Sequence, residues 1–220
     1  MKLREFLIGT AMISFAFVSA SAVTTALPSP LITEDKILGT AYYDTLSILS
    51  SRNECSDFFG GPSASVDIFN AFMGKVRKGY FSSSIGIQMS GATVNIFNLG
   101  TKTKYRVFEK VSINRNGPFY RRKYLISQPS LSGVGRFEPN TKEARVLMLL
   151  HELGHVIRGQ SGAWLLPDDG GDEVLSRDNT RKIENVCAEQ IKNLGKGDRA
   201  MNSASGKHGD EKQAGTNIKP

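Results

Sequence analysis

The stretch from Thr141 to Gly159, TKEARVLMLLHELGHVIRG, constrains the chain more than any other. Read at about 100° per residue it is a helix, with Val146, Leu149, Leu150, Leu153, Val156 and Ile157 on one broad face. His151 and His155 fall on the opposite side with Ala144, Leu147 and Met148, so the helix is apolar nearly all round and belongs inside a core. The two imidazoles, four positions apart, therefore face an enclosed space and can each give a nitrogen to one metal ion at about 2.0–2.1 Å. Glu152 lies beside such an ion without needing to bind it, placed to take a proton from water. Asn140 is the expected cap, with Glu143 three positions later completing a capping-box-like pair.

Two ordinary polar residues on a core helix would be the plain alternative. Against it, the chain has only three histidines, and two of them fall in this arrangement with a glutamate directly after the first. The third, His208, lies in a polar stretch with nothing to bury.

At 220 residues with 40% hydrophobic content, the chain can bury one good core. Its net charge of +7 is spread through loops and the C-terminal stretch, with clusters at Lys75, Arg77 and Lys78 and at Arg121, Arg122 and Lys123. No nucleic-acid motif accompanies them, so they read as solvated faces and nucleic acid is not an expected partner.

The N-terminus has the grammar of an export signal: Lys2 and Arg4, an apolar run from Phe6 to Val18, then Ala20-Ser21-Ala22 as a cleavage site. Residues 1–22 are therefore read as a signal peptide, 23–194 as a single domain and 195–220 as a disordered tail. Membrane attachment follows only if the signal segment is not cleaved. In an exported, oxidising setting Cys55 and Cys187 are expected to form a bridge, periplasmic or secreted location being equally open.

Helical periodicity runs from Glu34 to Arg52, after an extended leader at Leu27-Pro28-Ser29-Pro30. It resumes after Gly60-Gly61-Pro62, with Ser63 or Ser65 as cap and Val66, Phe69, Met73 and Val76 as the apolar set. From Ser84 the period becomes two. Ile85, Ile87 and Met89, then Val94, Ile96 and Asn98, suggest two strands joined near Ser90-Gly91. Tyr105 to Ile113 and Phe119 to Ile126 continue the pattern around an Asn116-Gly117-Pro118 turn. A last helix from Ser176 to Leu194 buries Ile183, Cys187, Ile191 and Leu194, and its inward stripe begins with Ser176, Asn179 and Thr180. Those three polar residues have either a local capping role or a task at the site. Helices, then sheet, then helices argue for an α+β domain.

HELGH on an apolar helix after a β-region resembles the zincin superfamily of metallopeptidases, and the downstream segment LLPDDGGDEVLSRDNTRKIENVC is similar to that of exported bacterial proteins sharing HExxH. The resemblance is specific over Val146 to Val156. It implies a zincin-like fold with an antiparallel sheet packed against the active-site helix, a Zn2+ ion, a peptide or protein substrate, and Glu152 as general base. The metzincin pattern does not fit, because Arg158 and Ser161 stand where its glycine and third histidine belong. The resemblance then implies a carboxylate as third ligand. Asp168, Asp169, Asp172, Glu173 and Glu184 are the choices, and Asp169 is preferred over Glu184 because the paired glycines after it let the loop bend back. An exported binding or structural module with a non-catalytic zinc site is the alternative function.

Overall fold

Asp35 starts the first long helix: its carboxylate accepts hydrogen bonds from the amides of Ile37 and Leu38, two of the donors a helix leaves without partners. In the computed structural model, which describes residues 29–81, 85–123 and 131–194, this helix is α2 (Lys36–Ser50). A short α1 (Pro30–Glu34) precedes it, starting at the last residue of the expected leader, whose Leu27 and Pro28 lie outside the described residues; Pro30 begins it with φ already suited to a helix. Then come α3 (Glu54–Phe58), α4 (Pro62–Met73), β1 (Val76–Gly79), β2 (Ile87–Asn98), β3 (Thr103–Asn114), α5 (Lys142–Val156) and α6 (Glu173–Lys192). The signal segment 1–22 and the tail 195–220 of the sequence reading lie outside the described residues.

The architecture is α+β, with one three-stranded sheet in the order β1-β3-β2. The sheet is mixed, not antiparallel as expected: β2 and β3 form an antiparallel hairpin, and β1 lies parallel to β3 on its other side. Val76, read as helical, is the first residue of β1 because α4 has already ended before Gly74. Asn114 explains the parallel pairing. Its side chain accepts from the Phe81 amide and donates to the Ile85 carbonyl, fastening both ends of the β1–β2 connection across the end of β3.

Two strands expected around Ser90-Gly91 are one continuous β2. Gly91, at φ 85°, absorbs the extra residue of a bulge between Ser90 and Thr93, where a side chain would strike Glu109. The reversal comes later, after Asn98, whose side chain accepts from the amides of Gly100 and Thr101. Phe119 and Tyr120 are not in a strand either. The amides of Tyr120 and Arg121 both turn back to the Gly117 carbonyl, while Tyr124 to Ile126 lie outside the described residues.

Most of α5 is buried, and its core face meets residues from α2, α4, β3 and α6. Its cap is Thr141, whose hydroxyl accepts from the Ala144 amide, and not Asn140. Asn140 takes a left-handed φ of 61° and gives its carbonyl and side-chain oxygens to Arg145, which leaves Glu143 no capping-box partner. Cys55 and Cys187 are joined, pinning α3 to α6 across 132 residues. In the chain-entropy description a loop of that length contributes about 5 kcal/mol by restricting the unfolded chain.

Candidate metal centre

His151 and His155 lie one turn apart near the end of α5, 7% and 3% exposed. Beyond Val156 the backbone extends, and Ile157 bridges to Tyr105 at the start of β3. A tight turn then reverses the chain, with the Gly159 amide on the Ala163 carbonyl and Arg158 bridged to Trp164. The returning strand runs back along α5: the Leu165 amide meets the Ile157 carbonyl, and the Leu166 amide meets that of Gly154. Three residues later the chain has retreated far enough to bring Asp169 opposite His151. Gly154 permits this close return, since a Cβ there would sit 2.6 Å from both Cγ and Cδ1 of Leu166.

Three donor atoms converge. The Nε2 atoms of His151 and His155 are 3.0 Å apart, and Asp169 Oδ2 lies 3.3 Å from the first and 3.6 Å from the second. Bonds of ~2.0–2.1 Å at tetrahedral angles would put neighbouring donors about 3.3–3.4 Å apart, and the three separations bracket that value. Two nitrogens, one carboxylate oxygen and a cage of this size fit a zinc ion, so His151, His155 and Asp169 are the residues that could hold one.

The state of His151 follows from its neighbours. Thr180 on α6 donates its single hydroxyl proton to the Ser176 carbonyl at 2.9 Å. Its oxygen must therefore accept from His151 Nδ1, 3.0 Å away, which fixes a proton on Nδ1 and leaves Nε2 as the nitrogen that faces Asp169 and, once deprotonated, would offer its lone pair to an ion. His155 has no such anchor, because its buried Nδ1 has no hydrogen-bond partner among the described residues.

Electrostatics concentrate on Asp169, His155 and Glu152. Burial works against ionising Asp169, but hydrogen bonds from both histidines outweigh it and hold the carboxyl well below the ordinary carboxylate range. Burial likewise opposes charging His155, and the hydrogen bond and charge of Asp169 together with Glu152 turn the net shift upward. Glu152 keeps part of its surface in contact with solvent while dense protein surrounds it, and this desolvation pushes its carboxyl above the usual range. The positive histidines oppose that shift and do not reverse it.

Of the other carboxylates considered for the site, Glu184 is engaged elsewhere. It accepts from the Arg136 amide at 2.8 Å and the Arg136 Nε at 3.2 Å, against the Gly135 turn. Asp168 stands outside the donor cluster and pairs with Arg106. Asp172 caps α6 through the amides of Val174 and Leu175. Two side chains at the polar start of the α6 stripe have tasks: Thr180 orients His151, with its own proton on the Ser176 backbone carbonyl, and Asn179 donates to the Pro167 carbonyl at 3.0 Å, fixing the approach to Asp169. Arg106 was not singled out in the sequence, because an arginine on an alternating strand carries no signal of its destination.

No family model matches this chain, and neither does any curated protein or solved structure.

Proposed function

We propose that this chain is an exported zinc-dependent metallopeptidase of zincin-like design. The observation that carries the reading is the convergence of His151 Nε2, His155 Nε2 and Asp169 Oδ2, with Glu152 next to them on the same helix. Three protein donors leave a fourth tetrahedral position for water or substrate, as in hydrolytic sites, whereas a structural zinc takes four. A zinc ion held there would supply Lewis-acid polarisation of a substrate carbonyl and make water acidic near neutral pH.

The chain's own residues do the rest. Glu152, its basicity raised by burial, accepts the proton of the attacking water and delivers it to the departing amine. Asp169, kept ionised, offsets the positive charge of the ion. Thr180 keeps His151 in the tautomer that presents a lone pair. Support for export comes from the signal-like N-terminal sequence and from the Cys55–Cys187 bridge, which persists in oxidising compartments. No helix among the described residues is long and apolar enough to cross a membrane.

The test is Glu152→Gln in the mature protein. Zinc content stays at the wild-type level while hydrolysis of casein and unstructured peptides disappears. Zinc binding by a wild-type protein that cleaves no peptide would favour the alternative of a binding module braced by the ion.

A further inference from the structure

We infer that Arg106 is the positioning residue of this centre, holding two of its three ligands in register from a strand that contributes no ligand itself. The inference rests on the metal-binding reading above. Arg106 lies on β3 and is 8% exposed. Its Nε donates to the backbone carbonyl of His155 at 2.9 Å. That carbonyl is one of the last four of α5, which the helix itself leaves without partners. The other two nitrogens form a fork on Asp168, Nη1 to Oδ2 at 3.1 Å and Nη2 to Oδ1.

One rigid planar group is thus bonded to a ligand's own peptide unit on one side and to the residue preceding a ligand on the other. Consecutive Cα atoms are about 3.8 Å apart, so fixing Asp168 leaves Asp169 one peptide of freedom. Downstream, Gly170 and Gly171 at φ 51° and 93° let the chain turn so that the Asp172 amide donates to the Asp169 carbonyl at 2.6 Å. Upstream, Arg106 on Asp168 and Asn179 on Pro167 hold the chain that enters the turn, and Arg106 alone ties it to the peptide unit of another ligand.

The guanidinium is itself held. The ring of Trp164, the chain's single tryptophan, lies 4.2 Å from it and the ring of Phe108 4.9 Å, and Arg158 stacks on the same indole at 4.3 Å. A lysine would keep the charge but could not span the His155 carbonyl and both Asp168 oxygens. The site is in this way assembled before any ion arrives.

The experiment compares wild type, Arg106→Lys and Asp168→Asn in the mature, disulfide-intact protein. Zinc affinity is measured by competition with a chromophoric chelator, visible absorption with cobalt(II) substituted for zinc, and thermal stability in excess EDTA. Both variants are expected to bind zinc about 10- to 100-fold more weakly, the range for residues that orient metal ligands, and to change the cobalt(II) bands. Asp168 is an exposed carboxylate, so its replacement keeps the test alive if Arg106→Lys fails to fold. Wild-type affinity and an unchanged cobalt(II) spectrum in Asp168→Asn, with only the EDTA-state melting point lowered in either variant, would overturn the assignment while leaving the metal reading intact. A wild-type protein that binds no zinc would remove both.

Discussion

Thr180 Oγ1 stands 3.0 Å from Nδ1 of His151 and 2.9 Å from the Ser176 carbonyl, so one hydroxyl on α6 decides which nitrogen of an α5 histidine carries the proton. Neither contact is visible from α5 alone. The α6 helix is itself tied down by the Cys55–Cys187 bridge, seven residues beyond Thr180 on the same face.

Replacing Thr180 by valine keeps the shape and removes the acceptor. His151 Nδ1–H is then buried without a partner, at a cost of about 1–3 kcal/mol, or the ring changes tautomer and turns its lone pair away from the cluster. His155 cannot compensate, since its own Nδ1 is already without a partner among the described residues. Zinc affinity is expected to fall by about 10- to 100-fold in Thr180→Val and to return most of the way in Thr180→Ser. Chelator competition on the two variants decides it: equal affinities for valine and serine would mean the hydroxyl has no part in orienting His151.

Gly154 offers a test in which two effects oppose each other. Alanine in a helix is favoured over glycine by about 0.8–1 kcal/mol. Here, however, the new methyl group would lie 2.6 Å from Cγ and Cδ1 of Leu166, a fully buried side chain on the returning strand. The Cγ cannot swing aside as a chain end could, so the strand must move, and overpacking of this kind costs about 1–3 kcal/mol. The clash wins. Gly154→Ala is expected to lower stability in urea unfolding, and pairing it with Leu166→Ala should recover part of the loss relative to Leu166→Ala alone. An alanine variant as stable as wild type would show that the return of Leu166 along α5 is looser than described.

How much of this was legible in the sequence depends on how local each signal is. The buried α5, its histidine pair and Glu152 could be read because residues four apart on a helix need no tertiary information to share a side. Asp169 was nameable as a choice but not as a result, because its place depends on a hairpin from Arg158 to Trp164 whose pairing partner is β3, some 50 residues earlier by sequence. The α+β class followed from the order of helical and alternating segments. The parallel β1 did not, since its four residues follow directly on a helical pattern and Val76 fits either period. Gly91 reads as a turn in the sequence because a bulge glycine and a hairpin glycine look alike in one dimension. Asn140 lost the cap to Thr141 for a similar reason: both are good capping residues, and only the Arg145 bonds show that Asn140 is engaged.

Asp35 carries the pH dependence that can be assigned most cleanly. Burial acts to raise its carboxyl, but the Leu38 amide, the Tyr120 hydroxyl at 2.9 Å and the Lys78 ammonium at 3.2 Å together hold it below the ordinary value. A carboxyl lowered in the folded state contributes stability that is fully present above its unfolded value, ~3.9, and is lost as pH falls from there through the folded value. Asp169 is lowered as well, so acid sensitivity of the wild type alone does not isolate Asp35. The difference between wild type and Asp35→Asn does. Asparagine is as good a cap for α2 and cannot ionise, so the variant loses the carboxylate charge that pairs with Lys78 and accepts from the Tyr120 hydroxyl, while keeping the bonds to α2. Denaturant unfolding at several pH values from about 6 down to about 2 should give a wild-type advantage at pH 6 that shrinks through the acid range and closes near its foot. A wild-type advantage that is the same at every pH would mean that the Asp35 ionisation does not stabilise the fold, and that the contribution of this residue lies in its capping geometry alone.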